Sequence, residues 1–266
     1  MRYFPFLLLI LKLSACSTVD VLGKKTESQM IYSSLIKDSF LLTIQKPEGY
    51  TDTGHYKLIL VADGAINLGK KILNYCENNS DSCKTGFIVV TISHTGNWKM
   101  KRRRDFIPSD LSNNSTEEFG QANLYFNFIK QEVFPILKSK IPNATENIFI
   151  GHSFTGLFAL YLSLKDTTLF NKYYAISPSC WANYNELLKI EQGYSIHNKS
   201  LNAHIKIYAG DLEILNKVLS STKSFYNQVQ SRKYDNLKME IEIMHNETHL
   251  SIVDPALKKI IYEITQ

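Results

Sequence analysis

One short segment has the residue types and the context needed for nucleophilic catalysis. Residues 146–150 have the pattern of a strand, residues 151–156 (GHSFTG) that of a sharp turn, and residues 157–162 that of an apolar helix. Such a turn lifts a serine hydroxyl above a sheet, and the helix that follows points its N-terminal N–H groups at the same place. The pattern predicts Ser153 as the nucleophile of an acyl-transfer reaction. The alternative is a serine that only caps the helix.

This turn departs at one position from the usual G-x-S-x-G pattern. Thr155 stands where the second glycine is usual, and Gly156 follows it. We therefore expect the turn to tolerate a β-branched residue, with Gly156 taking over the close packing.

A serine nucleophile needs a general base, and the chain has seven histidines. In the chain order nucleophile, acid, histidine, the base follows the last strand, which leaves His245 and His249. We favour His249, because a histidine within a loop can swing over the serine, whereas His245 stands at the end of a predicted strand. His152, beside the nucleophile, is expected to serve in packing.

The acid that orients the histidine should follow the strand predicted at residues 205–209. Asp211 and Glu213 both lie there, and either could orient the imidazole and stabilise its protonated form. Both could instead be acids at a helix N-terminus, where they complement the helix dipole. We favour Glu213, and both Asp211 and a serine–histidine pair without an acid stay open.

The oxyanion hole should take one backbone N–H from Phe154, the residue after the nucleophile, and one from a loop after an early strand. Residues 61–65 (VADGA) end such a strand, so we place the second donor at Gly64 or Ala65. The alternative for this segment is an ordinary Asp-Gly turn.

These residues need a scaffold, and apolar runs of strand length alternate with helical patterns along the chain. Continuous apolar runs suit strands covered on both faces, as in a parallel sheet, whose ligands lie at the carboxyl ends of the strands. Strands are predicted at residues 39–45, 56–62, 87–92, 147–150, 173–177, 205–209 and 239–244, and helices at 67–76, 117–138, 157–164, 212–230 and 255–264. The sequence predicts one α/β domain over residues 28–266 with a mostly parallel sheet flanked by helices.

The first residues predict export. Arg2 precedes an apolar run over residues 3–11 that is too short to span a bilayer, and residues 13–16 (LSAC) resemble a bacterial lipobox. We predict a lipoprotein signal peptide over residues 1–15, an anchor and tether over residues 16–27 with lipidated Cys16 as the membrane anchor, and a location facing the periplasm. Because Lys12 interrupts the apolar region, an ordinary signal peptide is the alternative.

Composition excludes several classes of protein. A chain of 266 residues that is 44% hydrophobic is too long for a disulfide-stapled miniprotein and too apolar for a disordered tail. A net charge of +5 does not indicate binding to nucleic acid.

Cys76 and Cys83 flank a polar loop and could form a local disulfide after export. The spacing of cysteine and histidine does not indicate a metal site, and no cofactor is expected.

The substrate is less clearly indicated. Residues 99–104 (KMKRRR) follow a predicted strand, and these cations, Arg104 in particular, could attract an anionic substrate. They could equally be a solvated loop or contact anionic lipid headgroups. Trp98, Trp181 and Tyr184 could supply aromatic walls, Trp181 foremost, or belong to the core.

Taken in order, several stretches resemble an esterase family of α/β-hydrolases that includes the enterobactin, salmochelin and bacillibactin esterases and the esterase D type enzymes. The similarity runs from about residue 39 to the C-terminus. It rests on residues 58–64 (LILVADG), 104–108 (RDFIP), 120–122 and 128–135, 151–160 and 177–181 (SPSCW). The resemblance implies the α/β-hydrolase fold, Ser153 as nucleophile and His249 as base. It also implies that the acid can be absent, as in some siderophore-esterase relatives.

Residues and resemblance together predict a serine carboxylic-ester hydrolase that works through an acyl-enzyme. A small-molecule siderophore ester is the first expected substrate, and a short-chain or aromatic acyl ester, as for an S-formylglutathione hydrolase-like enzyme, is the second. The non-enzymatic alternative is a lipoprotein that keeps the fold and only binds a ligand. The sequence does not indicate an oligomeric state.

Overall fold

The computed structural model describes residues 17–21, 24–47, 49–62, 67–78, 86–109, 120–214 and 217–266. Within these residues, nine strands form one sheet in the order β1-β2-β3-β5-β4-β6-β7-β8-β9. They are β1 (Ser17–Val21), β2 (Lys24–Ser33), β3 (Asp38–Gln45), β4 (Tyr56–Val61), β5 (Phe87–His94), β6 (Ala144–His152), β7 (Lys172–Ile176), β8 (Ser200–Gly210) and β9 (Asp235–Met244). The pairs β1/β2, β2/β3 and β3/β5 are antiparallel, and every other neighbouring pair is parallel.

Helices connect the parallel strands. The helices of the described ranges are α1 (Leu68–Asn78), α2 (Trp98–Phe106), α3 (Ala122–Phe128), α4 (Phe134–Lys140), α5 (Phe154–Lys165), α6 (Ala182–His197), α7 (Val218–Arg232) and α8 (Val253–Thr265), with a π-helical turn, Ile129–Val133, joining α3 to α4. No helix in these ranges is long and apolar enough to cross a bilayer.

The central strands are buried on both faces because their side chains alternate between two apolar cores. In β4, Ile59 packs with Val89 and with residues of α8, whereas its neighbour Leu60 packs with Val90 and with residues of α5. A continuous apolar run is therefore required, since neither face meets water. The predicted mostly parallel α/β fold is confirmed, and β3 to β9 overlap the seven predicted strands, although β6, β8 and β9 begin earlier than predicted.

Four elements, β1, β2, α2 and α6, differ from the predictions. Residues 17–21 and 24–27, predicted as part of a tether, form β1 and the start of β2, which extend the antiparallel edge of the sheet. A polar edge strand lacks the apolar run by which central strands are predicted. Helices α2 and α6 were not predicted. The first is highly charged and has no apolar stripe, and the second contains three residues with left-handed backbone angles.

Helix α2 is fixed to the sheet by a buried ion network. The Arg104 guanidinium donates to Asp105 at 2.6 Å and to Asp38 of β3 at 3.0 Å. Asp105 also lies 2.8 Å from Nε2 of His94 at the end of β5. The side chains of Asp105 and His94 are 0% and 1% exposed, so each depends on its partners in place of water.

We predict that Arg104→Met lowers the free energy of unfolding by about 3–5 kcal/mol, because it removes a cation from the buried Asp105. Urea denaturation measures this change. The matched control is Arg103→Met at the adjacent exposed position, with an expected change within about 0.5 kcal/mol. Equal effects of the two substitutions would contradict a structural role for the network.

Candidate active site

The strand, turn and helix predicted around Ser153 are present. Ser153 lies between β6 and α5 with φ 61° and ψ −117°. A serine in this backbone region stores about 1–3 kcal/mol of strain, which its surroundings must oppose. Its N–H donates to the carbonyl of Ile176 at 3.0 Å, and its carbonyl accepts from the N–H of Ser179 at 3.1 Å. Both bonds connect the turn to the end of β7.

The residues around the turn explain its departure from the usual pattern. The Thr155 hydroxyl donates to the His152 carbonyl at 2.8 Å and accepts from the His152 N–H at 2.9 Å, so it closes the turn. A Cβ at Gly151 would lie 2.2 Å from the Thr155 carbonyl oxygen, and one at Gly156 would lie 3.0 Å from that of Ile176. Gly156 thus provides close packing, as expected. The hydroxyl contacts of Thr155 were not foreseen.

Three predicted residues meet at the carboxyl edge of the sheet. The Ser153 hydroxyl lies 3.0 Å from Nε2 of His249, and Nδ1 of His249 lies 2.7 Å from Oε1 of Glu213. These residues come from the segments after β6, β9 and β8. Because Nδ1 faces a carboxylate, it carries the ring proton and leaves the Nε2 lone pair towards the serine.

Glu213 is buried and held as an anion. Its Oε2 accepts from the Ser177 hydroxyl and from the Gly210 N–H, each at 2.8 Å. Burial by itself would raise the pKa of Glu213, but the hydrogen bonds from His249, Gly210 and Ser177 outweigh it and lower the pKa below the ordinary value. The carboxylate is therefore suited to stabilise a positive charge on His249.

The alternative acid and the alternative histidine pair with each other. Asp211 lies 2.7 Å from Nδ1 of His245 and accepts from the N–H of Asn246 at 2.9 Å. The His245 side chain is 82% exposed. Asp211 thus contacts the start of the loop that carries His249, and Glu213 contacts His249 itself.

His152 contacts the backbone of the histidine loop. It is 2% exposed, and its Nε2–H donates to the His249 carbonyl at 2.7 Å, with the two rings 4.7 Å apart. Burial is the main reason that the pKa of His152 is lowered to about 4, and the nearby His249 and Arg102 lower it further. Glu213 has a smaller opposing effect. A neutral His152 therefore fixes the position of the His249 backbone, which is more than the packing role we expected.

The remaining predicted residues are placed as follows. Phe154 begins α5, where its N–H has no partner within the helix and can face an oxyanion. Gly64, Ala65, Cys83 and Cys16 lie outside the described residues, so the second donor, the disulfide and the anchor stay predictions.

Sequence reasoning missed Ser179, whose hydroxyl lies 3.3 Å from that of Ser153. Its position directly after β7 was the available signal.

The structure gives Arg104 a different role from the one expected. Arg104 pairs with Asp38 and Asp105, which corrects the expectation that it binds substrate. Arg102 instead lies 5.6 Å from the Phe154 ring.

Aromatic side chains lie near Arg102 and Phe154. Arg102 lies 5.9 Å from the Trp98 ring, and the Trp181 ring lies 6.2 Å from that of Phe154. Trp98 and Trp181 are each 39% exposed and Tyr184 is 90% exposed, so these rings do not belong to the core.

We predict that His152→Leu lowers kcat by about 10–100-fold with little change in KM, because the loop loses its hydrogen bond and the base shifts. His152→Gln, which keeps an N–H donor at the same reach, should retain most of kcat. Steady-state kinetics on one ester compares the two variants, and equal losses would refute the positioning role.

A pH dependence follows from the same residue. The unfolded chain takes up a proton on His152 near pH 6.5, whereas the folded chain does so near pH 4. The stability that this residue contributes is therefore present above pH 6.5 and is lost, by up to about 3 kcal/mol, as the pH falls towards 4. The free energies of unfolding of the wild type and of His152→Gln, measured with denaturant, should converge as the pH falls from 6.5 to 4. Parallel pH curves would contradict the prediction.

Comparison with known proteins places the chain among esterases. It matches the family model Esterase, described as "Putative esterase", over residues 33–253. It is 26% identical over 247 residues to the ferri-bacillibactin esterase BesA of Bacillus subtilis, covering 86% of this chain and 85% of that protein. It is 30% identical over 138 residues to the siderophore triacetylfusarinine C esterase of Aspergillus fumigatus, covering 50% of this chain and 47% of that protein.

A solved structure shows the same fold. The siderophore hydrolase EstB from Aspergillus nidulans superposes with a TM-score of 0.78 at 19% identity, over 93% of this chain and 97% of that one. The family match spans most of the chain, including all three residues of the hydrogen-bonded Ser153, His249 and Glu213 set. The chain therefore belongs to this esterase family, whose members are carboxylic-ester hydrolases of the α/β-hydrolase fold.

Proposed function

We propose that the chain hydrolyses the ester bonds of a siderophore, with Ser153 as nucleophile, His249 as general base and Glu213 as the orienting acid. The observation that carries this proposal is the unbroken series of hydrogen bonds from Glu213 through His249 to Ser153, at 2.7 and 3.0 Å. The names of two relatives, which describe esterases of bacillibactin and of triacetylfusarinine C, support the substrate class.

The geometry leads to a two-step reaction. The Ser153 oxygen attacks the ester carbonyl while Nε2 of His249 takes its proton, and Glu213 stabilises the imidazolium that forms. The negative charge on the carbonyl oxygen faces the Phe154 N–H, with the second donor expected at Gly64 or Ala65. The intermediate collapses, and His249 gives its proton to the leaving alcohol.

Water completes the cycle. It attacks the acyl-enzyme while His249 takes a proton from it, and the second intermediate releases the acid and restores Ser153. Each proton leaves and returns through the same imidazole, so the fixed tautomer of His249 is needed in both steps.

The surroundings of Ser153 favour a substrate with rings and negative charge. Arg102 supplies a cation beside Phe154, and Trp98 and Trp181 supply half-exposed aromatic surface. The same rings would accept a simple aromatic acyl ester, which is the second candidate substrate.

A ranking of kcat/KM tests the substrate. The panel is a ferric trilactone siderophore of the bacillibactin type, p-nitrophenyl butyrate and p-nitrophenyl benzoate, assayed with residues 17–266. The proposal expects the trilactone to rank first and Ser153→Ala to be inactive. A flat, low profile would contradict a dedicated siderophore role, and absence of any Ser153-dependent hydrolysis would contradict the mechanism.

We predict that Glu213→Gln lowers kcat on the best substrate by about a thousandfold to ten-thousandfold, since the histidine loses its preferred tautomer. Asp211→Asn is the matched control two residues away, and its kcat should stay near that of the wild type because Asp211 contacts His245. If Glu213→Gln kept full activity, Ser153 and His249 would act as a dyad.

We further propose that the chain is an exported lipoprotein, anchored through Cys16 and facing the periplasm. The support is the basic residue, short apolar run and LSAC motif of residues 1–16. In a bacterial host, the wild type should fractionate with membranes and Cys16→Ala should not form the lipidated product. The same distribution and mass for both chains would contradict the anchor.

A further inference from the structure

A second serine faces the nucleophile and has no role in the two-step reaction described so far. Ser179 follows β7, and its hydroxyl lies 3.3 Å from the Ser153 hydroxyl. Because Ser179 is 2% exposed, its hydroxyl must find a hydrogen-bond partner inside the protein. Within the described residues, that partner is the hydroxyl of Ser153.

The backbone holds Ser179 in this place. Its N–H donates to the Ser153 carbonyl at 3.1 Å, and its own carbonyl accepts from the N–H of Ala182 at 3.0 Å. The preceding carbonyl, that of Pro178, accepts from the Thr222 hydroxyl of α7 at 3.2 Å. The segment that carries the Ser179 hydroxyl is therefore fixed to the nucleophile turn on one side and to α7 on the other.

The protons of the triad determine which of the two serines donates. Nδ1 of His249 carries the ring proton towards Glu213, so Nε2 is an acceptor and the Ser153 hydroxyl donates to it. A hydroxyl has a single proton, and that of Ser153 is already used. Ser179 is therefore the donor of the 3.3 Å hydrogen bond, and the Ser153 oxygen is its acceptor.

This hydrogen bond is placed to become stronger during the reaction. Its length of 3.3 Å exceeds the usual value of about 2.7–2.8 Å for two hydroxyls, so it contributes little in the resting site. When Nε2 of His249 takes the proton, the Ser153 oxygen gains negative charge. Hydrogen bonds to a charged oxygen are shorter and stronger than those to a neutral one. An interaction that strengthens in the transition state raises kcat.

We infer that Ser179 is a further catalytic residue, whose hydroxyl stabilises the negative charge on the Ser153 oxygen in both steps of the reaction. In acylation, this charge forms as the proton passes from Ser153 to His249. In deacylation, it forms again as the bond between the acyl carbon and the Ser153 oxygen breaks, until His249 returns the proton. Ser179 keeps its own proton throughout. The inference rests on the proposed ester hydrolysis.

Removal of the hydroxyl alone tests this role. Ser179→Ala keeps the backbone N–H that holds Ser153, and it should lower kcat on p-nitrophenyl butyrate by about 10–100-fold. KM should stay within about twofold of the wild-type value, because the bond is weak before the reaction begins. Ser179→Thr, which retains a hydroxyl, should keep most of kcat.

The matched control is a serine of similar burial near the far end of α5. Ser163 is 1% exposed, and its hydroxyl donates to the Leu160 carbonyl at 2.7 Å. Ser163→Ala should therefore leave kcat near the wild-type value. Urea denaturation of each variant shows that it is folded under the conditions of the assay.

The reactivity of Ser153 is also measured without an ester. In its reaction with a fluorophosphonate, the Ser153 oxygen bonds to phosphorus, fluoride leaves and His249 takes the proton of the serine. The second-order rate constant of this labelling should fall by about tenfold or more in Ser179→Ala and stay near the wild-type value in Ser163→Ala.

The outcomes separate this inference from the proposed function. Equal kcat or equal labelling rates in the wild type and Ser179→Ala, or a loss confined to KM, would overturn the role of Ser179 alone. A folded Ser179→Thr as slow as Ser179→Ala would also count against it. A wild type that is not labelled at Ser153 would contradict the proposed nucleophile and, with it, the role of Ser179.

Discussion

The structure depends on one hydrogen-bonded series, from the buried Glu213 through His249 to Ser153. These residues are far apart in the chain and follow β8, β9 and β6. Parallel strands bring their carboxyl ends to one edge of a sheet, which is how such distant residues come within 3.0 Å. Ser177, at the end of β7, completes the set by donating to Glu213, so four neighbouring strands position one imidazole.

The two buried groups around that imidazole differ in charge. Hydrogen bonds keep Glu213 charged although it is buried, whereas burial keeps His152 neutral. In the proposed mechanism, a positive charge on His249 would therefore meet an anion on one side and an uncharged N–H donor on the other. A protonated His152 would repel this charge, so its lowered pKa suits the role proposed for His249.

Sequence patterns predicted the central strands and the placement of Ser153, His249 and Glu213, because buried strands need continuous apolar runs and the order along the chain limits the candidates. They did not distinguish Arg102 from Arg104. Consecutive helical residues point about 100° apart, so the direction of each cation is set by how α2 lies on the sheet. A helix without an apolar stripe gives no indication of this.

The elements that sequence patterns missed are also those that can make this esterase selective. Similarity to siderophore esterases does not by itself determine a substrate, since the relatives are named for different siderophores. Selectivity must come from side chains around the triad. In the described part of the chain, Arg102 on α2 and Trp181 before α6 lie beside Phe154, and Trp98 lies beside Arg102. Charge in α2 and left-handed backbone in α6 replace the usual helical pattern, so neither segment has the apolar stripe by which a helix is predicted.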